Sequence, residues 1–148
     1  MRFLICLLMG VTFSWPAFAG LDSALDISSS AIVANSIKMK THANNIANVD
    51  TTQTTSGLPY RRQIAVYRAR PDLKGVEISE IAEDPSALNK VFDPTHPSAD
   101  SQGFVYYPNV DLASEMIDLD ETSSTFQTNV TAFNITKAMM QSSLEIGR

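Results

Sequence analysis

From Asn109 to Ile146 the chain contains no proline and no glycine, and this uninterrupted stretch narrows the folds open to it. Apolar residues recur along it at alternating steps of four and three: Leu112, Met116, Leu119, Phe126, Val130, Phe133, Met140 and Leu144. Only Ser123 and Lys137 break the series. A 4-3 series held over about five heptads marks a long helix that lies along another helix. Pro108 forbids an earlier start, Asn109 or Asp111 can cap the first turn, and Gly147 ends the last. At 1.5 Å per residue this predicted helix, within residues 109–148, is about 55 Å long.

The other end of the chain supplies a partner. Leu25, Ile32, Met39 and Ile46 form one row spaced by seven, and Val49 carries the pattern into the next turn. The companion row is small or hydrogen-bonding, with Ser28, Asn35 and His42 between Leu21 and Val49. Residues 20–50 therefore read as a core helix of roughly 40 Å, oily along one row and polar along the other. Both helices exceed the three or four turns usual in globular domains.

Residues 51–108 change character, and most of the 7 prolines fall there. Tyr60–Ala69 places Ile64 and Val66 on one face, Ala65 and Tyr67 on the other. Gly75–Ile81 alternates Val76 and Ile78 with Glu77 and Ser79. With Pro71-Asp72 and Lys74-Gly75 between them, the two runs predict a hairpin. Beyond it the chain reads as extended, with turns at Asp84-Pro85 and Asp93-Pro94 and a short strand at "GFVYY". The expected fold class is mainly α with a small β insertion. Long N- and C-terminal helices pair as a coiled coil around an extended, hairpin-bearing middle.

Residues 1–19 belong to another category. Arg2 precedes the apolar run "FLICLLMGVTFSW", and Ala17 and Ala19 occupy the −3 and −1 positions of a cleavage site. This reads as a secretory signal peptide cut after Ala19; the run is short against the about 20 residues that span a bilayer. Cys6, inside it, is the single cysteine of the chain, so a mature chain forms no disulfide.

The chemistry of a catalyst is hard to assemble from what remains. A formal charge of −5 gives nucleic acid no basic face to bind. Asp93, His96 and Asp100 lie close together, but in "DPTHPSAD" their types fit turns better than a metal site. No serine sits on a glycine-flanked nucleophile turn. Arg61-Arg62, Arg68 and Arg70 read as a solvated strand face. The chain is expected to be no enzyme, with no catalytic residue, cofactor, metal or small-molecule substrate.

One stretch resists the structural reading: "NNIANVDTTQ", residues 44–53. Ile46 and Val49 keep the stripe, and Asn48 and Asp50 can end a helix through side-chain bonds to the backbone. Asn44 and Asn45 are not required for termination. Their carboxamides both donate and accept, which predicts contact with a neighbouring backbone in another subunit.

That stretch, Asn44, Asn45, Ile46, Ala47 and Asn48, resembles the end of the N-terminal helix in the bacterial flagellar rod and hook proteins, the axial family. "SALDISSSAI", "VFDPTHPSADSQGFVYYPNVDLASEMIDL" and "NVTAFNITKAMMQSSLEIGR" extend the likeness over about residues 21–148. The turn carrying Asp93, Pro94, His96 and Pro97, followed by Gly103, Pro108 and Asn109, selects a rod member within it. The resemblance implies a structural subunit of the basal-body rod, a periplasmic shaft. Its terminal helices form an inner core and meet other rod subunits and further copies of itself. It also implies export through the flagellar type III apparatus, whereas the leader implies general secretion. A periplasmic binding or chaperone protein with a rod-like body is the alternative.

Overall fold

The structure, a computed structural model, describes residues 18–72 and 74–146. Most of the predicted signal peptide and the Gly147 helix stop lie outside the described residues. Six elements follow in order: α1 (Phe18–Ala47), β1 (Gln63–Ala69), β2 (Val76–Glu83), β3 (Asn89–Phe92), β4 (Phe104–Tyr107) and α2 (Leu112–Ile146). Two long helices thus flank two antiparallel hairpins, β1–β2 and β3–β4. α1 runs through the predicted cleavage point after Ala19. No described helix is long and apolar enough to cross a membrane.

The helix ends follow from their side chains. Asp111 caps α2: its Oδ1 accepts the Ala113 amide at 3.2 Å and its Oδ2 accepts the Ser114 hydroxyl at 2.7 Å, satisfying donors that the first turn leaves open. At the far end of α1, the Asn48 amide reaches the carbonyls of Asn44 and Asn45. Its side-chain Nδ2 also donates to the Asn44 carbonyl at 2.8 Å. One asparagine thereby closes the last turn.

The strands match the expected hairpin with two differences. A register shift between Val66 and Tyr67 interrupts the simple alternation, so Ile64 is exposed while Ala65 and Val66 are half-buried; an irregularity of this kind bends and twists the pair. The "GFVYY" strand finds its partner in Asn89–Phe92, running from Asn89 opposite Tyr107 to Phe92 opposite Phe104. In the sequence that partner segment shows only as extended chain, because four residues are too few for a period-2 signal. Gly103 closes this second hairpin at φ 81°.

α1 packs against α2 on one side and against the first hairpin on another. His42 and Asn45, late in α1, meet Glu115 in the first turn of α2, so the helices run antiparallel. The hairpin is fastened at Ser30, whose Oγ accepts the Val76 amide at 3.1 Å and donates to the Ile27 carbonyl at 2.8 Å. Among the described residues the buried ones are mostly polar: Ser30, Thr41, His42, Asn45, Glu115 and Thr122, against Ala34, Val105, Pro108 and Val110. Two helices and two ribbons enclose little volume, so the apolar rows are covered on one side only. Leu25, Ile32, Met39, Ile46, Val49, Leu119, Phe126, Val130, Phe133 and Met140 are half-buried, while Leu112, Met116 and Leu144 stay exposed.

Candidate functional site: a polar junction between the helices and the first hairpin

The closed centre of the protomer is a hydrogen-bonded knot around Asn45 and Glu115, which are 0% and 1% exposed. α1 directs Asn45 inward and the chain after it crosses back over the carboxamide. Asn45 Nδ2 donates to the Gln63 carbonyl at 2.9 Å and to Glu115 Oε2 at 3.1 Å. Its Oδ1 accepts the Tyr60 hydroxyl and the Gln63 amide, both at 2.9 Å. Two donors and two acceptors are the whole capacity of a carboxamide. All four are used within the chain. The expectation that Asn45 bonds across subunits is therefore corrected: it ties α1 to β1 and α2 inside one protomer. Asn44 is exposed and Asn48 serves as a cap.

Glu115 is the counterpart on α2. Its Oε1 accepts Arg62 Nε at 2.5 Å, and its Oε2 accepts His42 Nδ1 at 2.6 Å as well as Asn45. Burial pushes this carboxyl up, but the hydrogen bonds from His42, Arg62 and Asn45 outweigh it and hold the group below its ordinary range. A carboxylate only accepts, so His42 Nδ1 carries the proton. His42 Nε2 is then buried without a partner among the described residues, at a cost of about 1–3 kcal/mol.

Arg62 extends the knot outward. The hydrogen bond to Glu115 raises its pKa against the opposing effect of burial, and its guanidinium also approaches Asp84 Oδ2 at 3.4 Å and Asp118 Oδ2 at 3.9 Å. Arg61 donates to the carbonyls of Asp84 and Ser86 at 3.3 and 3.1 Å. Arg68 pairs with Glu77 at 2.6 Å. The basic run read as a solvated strand face is thus largely neutralised inside the chain.

The rod-type turn is held by its own polar groups. Asp93 Oδ1 accepts the Thr95 hydroxyl at 2.7 Å and its amide at 3.1 Å; these bonds, the hydroxyl's first, hold the carboxyl below its ordinary range. His96 Nδ1 accepts the Ser98 amide at 3.1 Å, and its ring lies tilted 6.2 Å from that of Tyr107. Asp100 Oδ1 accepts the amides of Gln102 and Phe104 at 2.8 and 2.9 Å. Among the described residues no group of three or more His, Cys, Asp or Glu could hold a metal ion. A Cβ on Gly103 would press on the Phe92 ring at 2.9 Å. Pro94 and Pro97 are exposed, and Pro108 is buried. Asn109 joins this region to the knot: its Oδ1 accepts the Arg62 amide at 2.9 Å and its Nδ2 donates to Ser86 Oγ at 2.7 Å.

The structure brings Asn45, Asn109 and the start of α2 into one junction. The other predicted α2 residues, from Phe126 onward, lie well along the helix from it. Sequence reasoning missed Glu115, Arg62 and Tyr60 as members. The signal available was His42, a polar ring within a helix stripe, which needs a hydrogen-bond partner once its neighbours bury it.

Comparison with known proteins places this arrangement. A family profile described as "Flagella basal body rod protein" matches residues 25–53, and one described as "Flagellar basal body rod FlgEFG protein C-terminal" matches residues 101–146. The flagellar basal-body rod protein FlgC of Bacillus subtilis (strain 168) is 36% identical, covering 84% of this chain and 97% of that protein. FlgC of Yersinia enterocolitica is 37% identical over 83% of this chain and 95% of its own length. FlgC of Borreliella burgdorferi is 35% identical over 86% and 97%. With both matched segments meeting at the Asn45–Glu115 knot, the chain belongs to the FlgC family of flagellar basal-body rod proteins.

Proposed function

We propose that this chain is a structural subunit of the flagellar basal-body rod, self- and co-assembling through its terminal helices into the shaft that carries torque from motor to hook. The observation that carries the reading is the FlgC likeness over most of the chain, with separate rod profiles on α1 and on the segment containing α2. Residues 20–50 and 109–148 act as core helices that pair as a coiled coil, and residues 51–108 form the segment between them. The half-buried rows Leu25–Ile32–Met39–Ile46 and Leu119–Phe126–Phe133–Met140 supply that pairing. Exposed Leu112, Met116 and Leu144 face neighbouring subunits. The turn from Asp93 to Asn109 presents a rigid surface to the next rod component, and the flagellar export apparatus is a transient partner.

A binding or chaperone protein on a rod-like body finds no support among the relatives, which are rod proteins. The test is proteomic. Basal bodies purified from a flagellated strain should contain the chain, and deleting its gene should abolish rods and swimming. Basal bodies holding the other rod proteins but lacking this one overturn the reading. The N-terminal peptide from the same sample reads the export route, since a start at Gly20 means signal cleavage.

A further inference from the structure

α2 ends in apolar surface that its own α1 does not cover. Ile135, Met139 and Ile146 are 57%, 54% and 87% exposed, whereas Phe133 and Met140, on the α1 side of the helix, are half-buried. Closer to the junction the outer side turns polar, with Glu121, Ser124, Thr128 and Thr131 exposed. The apolar row is therefore set apart at the far end.

The chain supplies its own cover at that end. His42 bonds Glu115 across the two antiparallel helices. Twenty-four residues back along α1 is Phe18, and twenty-four on along α2 is Met139, so at one rise per residue the two are level. α1 thus begins beside the exposed row, and the apolar run of residues 3–15, "FLICLLMGVTFSW", leads into it. The run carries no charge. Laid out as a helix it measures about 20 Å, against about 17 Å from Ile135 to Ile146. Pro16 follows it, and proline disfavours helix in the residue before it, which gives the chain a place to turn back just ahead of α1.

We propose that, while residues 1–19 remain attached, the run 3–15 folds back over Ile135, Met139 and Ile146 of its own chain and keeps that row covered. A tether this short holds the run at an effective concentration on the order of millimolar, so the contact needs no second molecule and no complementary charge. Cutting after Ala19 removes the cover. Resting on the rod-subunit reading, the row then opens to a neighbouring subunit only once the leader is gone.

Cys6 lies within the run and is the single cysteine of the chain, so one added cysteine reads the contact. Full-length chain made by cell-free translation without membranes keeps the leader. On oxidation, Met139→Cys should form an intramolecular disulfide with Cys6, seen in the monomer band and in the linked peptides by mass spectrometry. Met116→Cys, at a position 57% exposed but about 35 Å away along the helix, should not. Linkage to both positions alike means a run with no fixed seat. A disulfide-linked dimer from Met139→Cys means that a second copy covers the row. No disulfide, with the chain floating on phosphatidylcholine vesicles, means that the run takes lipid instead. Each of these results overturns the proposal, as does a soluble full-length chain that gives no link at all.

A second measurement needs no cysteine. The contacts of the junction all lie after Gly20, so a chain beginning at Gly20 keeps them. It should bind about twice as much of the apolar dye ANS as full-length chain, although it is the less apolar of the two. Equal or greater binding by full-length chain overturns the proposal. Both readouts are taken on the free protomer, so absence of the chain from basal bodies, which defeats the rod reading, leaves them standing.

Discussion

At the scale of single residues, the asparagine pair in "NNIANVD" divides its labour. Asn45 is consumed inside the protomer, so Asn45→Leu leaves the Gln63 amide and the Tyr60 hydroxyl short of an acceptor and removes a donor from Glu115. Each orphaned group costs about 1–3 kcal/mol, and a loss of about 3 kcal/mol is expected in urea unfolding of the monomer. Unchanged monomer stability with failed assembly would return Asn45 to the subunit surface. Glu115 makes a second prediction. Its folded pKa is depressed below the ordinary value of 4.5. Its stabilising contribution is therefore complete above the unfolded pKa and fades as pH falls through the folded one. Other depressed carboxyls, Asp84, Asp93, Asp100 and Asp111, add to the acid loss, so the measurement is a difference. Glu115→Gln should be less stable than wild type at pH 7, and the gap should narrow as the pH falls below the ordinary 4.5 and through the depressed folded value. A gap constant with pH would mean that the charge contributes nothing. The role of Glu115 was invisible in the sequence because a lone acid beside Met116 looks like ordinary helix surface until a folded neighbour buries it.

Among the elements, the helices were legible because their periodicity is long, and the first hairpin because two β-rich runs flank a turn. The fastening of that hairpin to α1 was not, since it depends on a serine and a glycine distant in sequence. Gly75 adopts φ 108°, and a Cβ placed there would overlap Ser30 Oγ. Gly75→Ala therefore combines backbone strain of about 1–3 kcal/mol with loss of the Ser30–Val76 bond. The expected result is a lower thermal midpoint and faster amide exchange in β1 and β2, with α2 protected as before. Adding Ser30→Gly removes the overlap but not the strain, so the double variant should recover part of the loss. If the double variant is no better than Gly75→Ala alone, the clash contributes nothing.

For the whole molecule, the balance of buried groups separates what closes the protomer from what it leaves uncovered. Its closed centre is polar and directional, which fixes how α1, the hairpin and α2 sit together. Its apolar rows are half-covered, and surface of that extent calls for neighbours. The junction lies at the start of α2, so the far end of the helix can be removed without touching it. A chain truncated after Phe133 keeps Glu115, Phe126 and Val130 and loses Ile135, Met139, Met140, Leu144 and Ile146. Such a chain should unfold cooperatively with the acid sensitivity of the full chain, because Glu115 with its Asn45, His42 and Arg62 contacts, and the other depressed carboxyls Asp84, Asp93, Asp100 and Asp111, all lie before Phe133. It should also be absent from basal bodies and fail to restore swimming to a deletion strain. Incorporation at wild-type level would place the assembly surface nearer Leu112 and Met116 at the junction end. Loss of the cooperative transition would mean that the half-buried rows, and not the polar knot, hold the protomer together.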